Sequence, residues 1–222
     1  FYPLPDGTFG VDAGKTKYLE NIVIPETHNG KQVTEILENA FQNSTNLKSI
    51  TIPKNLKIIS KDAFSNCPSI DTVNYNGNIT DWLNIEFESS LSNPCNSGAA
   101  LYLNGELLNE LVIPENTAKI NNYAFFGCNS ITTITLNNQL NIIGDYAFAN
   151  CSTTSSLNIP DSVRTIGTAI INNSGITKAY VNQTHIWTVR IPSTGAKNGT
   201  VNFAKGYNIA NDLTRIDKYY TY

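Results

Sequence analysis

Apolar and polar positions along the chain repeat with one long period instead of the short period of an amphipathic helix. Ala-Phe pairs at 40–41 and 63–64 are 23 residues apart, as are those at 124–125 and 147–148, and Ile170-Ile171 follows 23 residues later. An isoleucine precedes each pair at a constant distance, and a cysteine or serine follows it. Self-similarity at a fixed period of this length is typical of a protein built from stacked structural repeats.

One repeat unit reads L-x-x-I-x-I-P-x-x-V-x-x-I-x-x-x-A-F-x-x-C, and its clearest copy runs from Leu47 to Cys67. The alternation in I-x-I predicts a short strand with one inward face, because successive side chains of a strand point to opposite sides. The proline ends the strand, since it has no N–H to donate to a sheet. The A-F-x-x-C segment predicts a compact turn in which the small alanine lies where backbones come close.

A single unit of this kind is not stable alone. It buries about seven apolar side chains worth roughly 1.5–3 kcal/mol each, whereas ordering its backbone costs roughly 1–2 kcal/mol per residue. Only stacking on neighbouring units offsets that cost. The period lies in the range of leucine-rich repeats. The sequence therefore predicts a mainly β fold, one right-handed leucine-rich-repeat solenoid of about seven or eight coils with short turns of helix.

The combination I-P…I-x-x-x-A-F-x-x-C, repeated in register over about residues 19–175, resembles the BspA-type leucine-rich repeat of surface and secreted proteins from gut and oral bacteria and some protists. The resemblance implies a bacterial-type adhesion module that recognises a host or cell-surface protein or a glycan. It also implies an extracellular or cell-surface location, with any signal segment already removed. A structural spacer that displays another part of a larger surface protein is the alternative, and it stays open.

Two insertions interrupt the period. An insertion near 93–107 is predicted to form a β-hairpin that projects from the coils, because both residues of Asn104-Gly105 tolerate the positive φ of a type I′ turn. A shorter insertion at 26–30 is expected to be a loop. Between Ala63 and the longer insertion we expect one degenerate coil, in which Trp82 takes the inward isoleucine position and Phe87 the phenylalanine position.

The expected domain organisation follows from the fading of the repeat at both ends, as terminal coils of a solenoid must differ from the middle. Residues 1–18 are expected to form an N-terminal cap, and 19–175 the repeat region with its hairpin. Residues 176–222 are expected to form a degenerate repeat and a C-terminal cap.

Composition excludes several classes of function. Charged residues are 15% of the chain and the formal net charge is −3, so there is no electrostatic footprint for nucleic acid. No apolar run reaches the roughly 18 residues of a membrane span. We expect no nucleic-acid partner, no membrane insertion in this segment, and a monomer.

Catalytic and metal-binding patterns are not visible either. The histidines, His28 and His185, lie in an insertion and in the C-terminal region, and no H-E-x-x-H, paired C-x-x-C, EF-hand or phosphate-binding loop occurs. The repeat cysteines are expected to be buried, unreactive thiols without disulfides. An asparagine column through Asn66 is expected to bond backbone groups from coil to coil. We therefore predict no enzyme, no catalytic residue, no metal and no cofactor.

A binding surface on the outward positions of the predicted strands is the remaining candidate. These small polar side chains suit a protein or glycan ligand, but they equally suit an exposed sheet, and both interpretations stay open. Tyr102 is the better anchor because aromatic residues dominate binding hot spots. The candidate partner-binding residues are Ser49, Thr51, Thr72, Asn74, Tyr102, Glu110, Thr133, Thr135, Ser156 and Asn158.

Overall fold

The computed structural model describes residues 1–182, 184–190, 194, 197–203, 208–215 and 218–221. The chain divides into two compact units. Unit 1 comprises Phe1–Leu108 and Gly127–Ser130, and unit 2 comprises Asn109–Phe126 and Ile131–Tyr222. The predicted boundaries after residues 18 and 175 stay predictions.

Unit 1 is made of short strands joined by turns. Its strands are β1 (Tyr2–Pro3), β2 (Phe9–Val11), β3 (Asn21–Val23), β4 (Thr27–His28), β5 (Lys31–Ile36), β6 (Ser49–Ile52), β7 (Ile58–Ile59), β8 (Thr72–Tyr75), β9 (Glu86–Phe87), β10 (Ala100–Leu103) and β11 (Glu106–Leu107). Helix α1 spans Ile79–Leu83, and single 3-10 turns lie at Gly14–Thr16, Ser90–Ser92 and Pro94–Ser97. The first row of strands has the order β3-β6-β8-β10-β11, and the second row β2-β5-β7-β9, with β1 beside β2 and β4 beside β5.

Unit 2 repeats this plan. Its elements are β12 (Glu110–Val112), β13 (Lys119–Ile120), β14 (Thr133–Thr135), β15 (Ile142–Ile143), β16 (Ser156–Ile159), β17 (Thr165–Ile166), β18 (Lys178–Val181), β19 (His185–Arg190), β20 (Lys197–Phe203), α2 (Ala210–Leu213) and β21 (Tyr219–Thr221). Parallel pairs β12-β14 and β16-β18 form its first row. Its second row is β13-β15-β17, which the antiparallel strands β21, β19 and β20 extend.

The strand register accounts for the period of the sequence. Ile50 lies opposite Val73, and Ile120 lies opposite Ile143, each pair 23 residues apart. Two hydrogen bonds of side chains also join residues that are 23 positions apart. Gln42 Nε2 donates to Ser65 Oγ, and the carboxylate of Asp145 accepts from the Thr168 N–H. Each coil therefore satisfies polar groups of the next coil at the equivalent position.

Inward side chains of successive coils stack in columns. The rings of Phe41 and Phe64 lie 5.2 Å apart in unit 1, and those of Phe125 and Phe148 lie 5.8 Å apart in unit 2, both nearly parallel. The predicted file of phenylalanines is thus confirmed inside each unit. Burial of the ring column supplies hydrophobic stabilisation that an isolated coil lacks.

The cysteines are free thiols and buried. Cys67 Sγ donates to the carbonyl of Phe41, and Cys151 Sγ donates to the carbonyl of Phe125, both at 3.0 Å. Burial raises the pKa of the Cys67 thiol, which keeps it in the unreactive protonated form.

Left-handed residues shape each A-F-x-x-C turn. One lies immediately before the alanine, such as Asp62 with φ 56°, and one immediately before the cysteine, such as Asn66 with φ 54°. Asparagine tolerates this conformation better than most residues, which explains the asparagine column. The expectation that Asn66 bonds backbone from coil to coil is wrong, because its amide donates to the side chain of Asn43 at 2.7 Å.

The degenerate coil has a different alignment from the predicted one. Phe87 lies opposite Ile59 in the β7–β9 pair, so it takes the isoleucine position. Trp82 lies in α1, where its buried ring packs 5.2 Å from Tyr75 and 5.4 Å from Phe87. The predicted positions of both residues are wrong, because α1 adds a short segment ahead of the strand and shifts every later position.

The turn of that coil shows which residues replace Ala-Phe. The Phe64 N–H donates to the carbonyl of Leu91 at 2.9 Å, just as the Phe41 N–H donates to the carbonyl of Ala63. Leu91 therefore takes the alanine position, and the buried Ser92 takes the phenylalanine position. Cys95, three residues on, then belongs to the cysteine column.

Both insertions form hairpins. The predicted turn at Asn104-Gly105 has φ values of 49° and 85°, and it joins β10 to the antiparallel β11. The hairpin does not project as predicted, because β10 pairs along its whole length with β8. The expected loop at 26–30 is also part of a hairpin, in which Asn29-Gly30 joins β4 to β5.

Candidate binding surface

The first row of strands in unit 1 separates core from surface by simple alternation. Ile50 and Ile52 of β6 are fully buried, whereas Ser49 and Thr51 between them are half-buried. The same alternation holds in β8, where Thr72 and the residue two positions on lie outward. Because the strands are in register, the outward side chains form two lines across the sheet.

In the first line, the hydroxyl groups already form hydrogen bonds with neighbouring side chains of the protein. It contains Asn21, Ser49, Thr72 and Ala100. Ser49 Oγ donates to Asn21 Oδ1 at 2.6 Å, and Thr72 Oγ1 donates to the neighbouring carboxylate of Asp71 at 2.8 Å. This line therefore offers a partner little hydrogen-bonding capacity.

The second line, which we name the outer row, keeps its polar groups available. It runs through Val23, Thr51, Asn74 and Tyr102 and ends at Leu107 of β11. In the part of the chain that the structure describes, the side chains of Thr51, Asn74 and Tyr102 have no hydrogen-bond partner. Neighbouring strands lie about 4.8 Å apart, so the outer row is about 19 Å long.

Apolar residues close both ends of the outer row. Val23 is 71% exposed and Leu107 is 45% exposed. An amide, two hydroxyls and an aromatic ring thus lie between two exposed aliphatic groups. Such a mixture of apolar contact and orienting polar groups is typical of a recognition surface.

Charge contributes little to this surface. Lys48 Nζ and Glu20 Oε2 form an exposed ion pair at 2.9 Å beside the first line. Exposed pairs of this type contribute about 0–1 kcal/mol. The outer row itself consists of aliphatic, hydroxyl, amide and aromatic side chains.

In unit 2 the predicted residues occupy outward positions of two separate strand pairs. Glu110 and Thr133 lie opposite each other in β12-β14, and Ser156 lies opposite Lys178 in β16-β18. The other two predicted residues also lie outward in these pairs, Thr135 opposite Val112 and Asn158 opposite Tyr180.

Five of the ten predicted residues are therefore neighbours in unit 1: Ser49, Thr51, Thr72, Asn74 and Tyr102. Val23 and Leu107, the end members of the outer row, were not among the predicted residues. The signal for Val23 was present, because Ile22 to Pro25 repeats the I-x-I-P pattern. Leu107 was hidden, because its place depends on the register of the hairpin.

His28 takes no part in the outer row. His28 stacks on the ring of Phe1 at 4.1 Å, with Phe9 edge-on at 5.0 Å. The side chain of His185 lies outside the described residues. The described residues contain no group of three or more His, Cys, Asp or Glu arranged to hold a metal ion, and none of their helices has the length and apolar character needed to cross a membrane.

Comparison with known proteins supports the repeat assignment. The family described as "BspA type Leucine rich repeat region" matches residues 12–95 and 98–220, with six copies. No curated protein matches the chain.

Two bacterial leucine-rich repeat proteins are among the solved structures that are similar to the chain. A leucine rich cell surface protein from Faecalibacterium prausnitzii A2-165 is 22% identical with a TM-score of 0.54, over 82% of this chain and 52% of that protein. A leucine-rich repeat protein from Eubacterium ventriosum is 23% identical with a TM-score of 0.45, over 72% of this chain and 44% of that protein. The chain thus spans about half the length of the first of these structures. The predicted mainly β leucine-rich-repeat fold is confirmed.

Proposed function

The chain belongs to the BspA-type leucine-rich repeat family, and from that premise we propose that it is a non-enzymatic binding module of the bacterial cell surface or of a secreted protein. Its partner is an extended segment of a host or cell-surface protein. The observation that supports the proposal is the outer row of unit 1, where unpaired polar groups lie between two exposed aliphatic side chains.

An extended segment fits the outer row for geometric reasons. The row crosses the strands, and its length of about 19 Å corresponds to roughly six residues of extended chain at about 3.3 Å each. Asn74 and Thr51 then orient the segment by hydrogen bonds. Tyr102 supplies a large contact area together with a hydroxyl, the combination that enriches tyrosine at interfaces.

Tyr102 is expected to contribute most of the binding energy. Truncation of a central aromatic anchor commonly costs 2 kcal/mol or more, which is more than about tenfold in affinity. Thr51 and Asn74 are small and lie beside it, so each is expected to contribute less. An adhesion role and an extracellular location follow from the same proposal.

A screen of the purified chain against immobilised collagen, laminin and fibronectin, and against a glycan array, tests the proposal. We expect saturable binding to a protein of the panel. Tyr102→Ala is expected to weaken that binding by at least about tenfold. The matched control is Tyr180→Ala, which removes the same ring from an outward position of unit 2 and is expected to leave the affinity within about twofold.

Each other result counts against the proposal. Loss of binding in the control alone would move the site to unit 2. Binding only to glycans would contradict the protein partner. Absence of binding at high micromolar concentration would favour the alternative, a spacer that displays another part of a larger surface protein.

A further inference from the structure

The second row of unit 2 is followed by glycine at a position where unit 1 carries a side chain. In unit 1 the residues that directly follow β5, β7 and β9 are Leu37, Ser60 and Glu88. In unit 2 the residues that follow β15 and β17 are Gly144 and Gly167. Two consecutive coils in the interior of the repeat region therefore have no side chain at this position.

These glycines let neighbouring coils come close together. An added Cβ at Gly144 would lie 2.6 Å from the backbone nitrogen of Asn122, and one at Gly167 would lie 2.6 Å from the backbone nitrogen of Asp145. Neither glycine is among the residues with positive φ. Close approach of two backbones, and not the conformation of a turn, therefore requires glycine here.

The close approach fixes two side chains by backbone hydrogen bonds from the next coil. The Asp145 N–H donates to Asn122 Oδ1 at 2.8 Å, and the Thr168 N–H donates to Asp145 Oδ1 at 2.7 Å. We name these three residues the polar ladder. Each bond uses one oxygen, so the NH2 group of Asn122 and the second carboxylate oxygen of Asp145 are left over. The described residues offer neither group a hydrogen-bond partner.

A groove of about 300 Å³ lies along the polar ladder, a volume at the lower end of small-molecule sites. Its lining includes the three ladder residues, Ile142 of β15 and Tyr219 of β21. Because β21 pairs with β17 on the side away from β15, Tyr219 lies at the opposite end of the groove from Asn122. From there β21 runs to Thr221, which lies opposite Thr165, so the strand leads away from Thr168.

The side chain of Thr168 is a second, independent sign of a polar ligand. Thr168 is only 6% exposed, and it lines the groove. Its Oγ1 has no hydrogen-bond partner among the described residues. A buried hydroxyl without a partner costs free energy, so a polar group of a ligand that enters the groove gains by pairing with it.

The free groups of the ladder favour one class of ligand. An anion would be repelled by Asp145, and among the described residues no Lys or Arg lines the groove to offset that repulsion. A cation would meet the NH2 group of Asn122, which can only donate. A neutral ligand rich in hydroxyl groups satisfies all three ladder residues, because a hydroxyl both donates and accepts.

We propose that this groove, which we name the sugar groove, binds a neutral saccharide of one or two rings. Its hydroxyl groups accept from Asn122 Nδ2, donate to the free oxygen of Asp145 and pair with Thr168 Oγ1. The ladder residues are one coil apart, about 4.8 Å, so hydroxyl groups on opposite edges of one ring reach two of them. Ile142 and the ring of Tyr219 contact the apolar C–H groups of the sugar. The sugar groove lies in unit 2 and does not depend on the outer row of unit 1.

Titration of the whole chain with simple sugars, followed by two-dimensional NMR, tests the proposal. The probes are the methyl β-glycosides of glucose, galactose and N-acetylglucosamine, and the reporters are the backbone amides of Gly144, Gly167 and Thr168. We expect saturable shifts of these amides with at least one probe, at a Kd of about 1–10 mM. The glucuronide and galacturonide, in which a carboxylate replaces the hydroxymethyl group, are expected to bind at least about fivefold more weakly than their neutral counterparts.

Three variants separate recognition from a change in the fold. Thr168→Val removes the hydroxyl but keeps the shape and the N–H that donates to Asp145, and it is expected to weaken sugar binding about five- to tenfold. Thr117→Val makes the same change at a half-buried threonine of unit 2 outside the groove, so affinity is expected to stay within about twofold. Asp145→Asn keeps an oxygen for the Thr168 N–H, and it is expected to reduce the difference between neutral sugars and uronides to less than about twofold.

Several results would overturn the proposal. One is the absence of saturable shifts with every neutral probe at concentrations far above the expected Kd. Another is an equal affinity of Thr168→Val and the unsubstituted chain, or an equal loss in Thr117→Val. Tighter binding of the uronides would make the ligand an anion, and shifts confined to unit 1 would assign the sugar to another place. None of these results bears on the outer row, which Tyr102→Ala tests separately.

Discussion

Ser44 is fully buried, and its Oγ has no hydrogen-bond partner among the described residues. It stands in the cysteine column, where the next member, Cys67, donates its thiol to the carbonyl of Phe41. In the preceding coil Ala13 takes the phenylalanine position, because its N–H donates to the carbonyl of Ala40 as that of Phe41 donates to the carbonyl of Ala63. The carbonyl of Ala13 accepts from the N–H and the Oγ1 of Thr16 instead of from Ser44. We predict that Ser44→Ala stabilises unit 1.

The magnitude follows from the cost of a buried, unpaired hydroxyl, which is about 1–3 kcal/mol. The substitution removes one atom and leaves a space smaller than a methyl group, which offsets the gain by less than about 1 kcal/mol. The expected increase in the free energy of unfolding is therefore about 1–2 kcal/mol.

Ser92→Ala is the matched control, because it makes the same chemical change at another fully buried site of unit 1. Ser92 Oγ donates to the carbonyl of Ser60 at 2.9 Å and accepts from the Ser89 N–H at 3.0 Å. Its loss leaves two backbone groups without their partner. We expect a destabilisation of about 2–3 kcal/mol.

Urea unfolding followed by circular dichroism measures both effects. The transition of unit 1 must be fitted separately if the two units unfold independently. Opposite signs for the two variants support the reasoning. If Ser44→Ala destabilises the unit, or if both variants shift the midpoint in the same direction, burial without a partner does not determine the stability of these serines.

Two further predictions concern a turn and a tyrosine. Gly127→Ala is expected to destabilise unit 1 by more than about 3 kcal/mol, because φ is 75° and the new Cβ would clash with the Cys95 carbonyl oxygen. Gly105→Ala, with φ 85° but no atom within 4 Å, should cost only about 1–2 kcal/mol, and equal melting temperatures would contradict the clash. Burial, and secondarily the charge of Asp81, raises the pKa of Tyr75 above its usual value of 10.0. The free energy of unfolding should fall as pH rises above about 10, where the unfolded state releases a proton that the folded state retains. Urea titrations at about pH 9 and 11 should show that Tyr75→Phe loses less of this free energy than the unsubstituted chain. Identical losses would refute the assignment to Tyr75.

The repeat made much of the fold predictable from sequence. The columns that pass through Ile59 and Phe64 follow directly from the period, because every coil in register must bury the same positions. The Asn104-Gly105 hairpin was also predictable, since few residues tolerate a type I′ turn. The outward position of Thr51 and Asn74 followed from strand alternation alone.

The rest depends on tertiary contacts that leave no local pattern. Phe87 looked like a repeat phenylalanine, but α1 ahead of it shifts the register, and a buried serine at 92 holds the expected ring position through hydrogen bonds. The outer row needed the register of β10 against β8 to bring Tyr102 beside Asn74. The antiparallel return of β1 beside β2 was not predictable either, because no spacing rule indicates it.

The side-chain bonds that span 23 residues have a consequence for how such a chain changes length. Asn66 Nδ2 donates to Asn43 Oδ1 at the equivalent position of the neighbouring coil. If one whole period of 23 residues were deleted, the coils on either side of the deletion would become neighbours, and their equivalent positions would still face each other. Deletion of a few residues would instead misalign every donor and acceptor along the column. We therefore expect this fold to tolerate insertion or deletion of whole repeats better than insertion or deletion of a few residues.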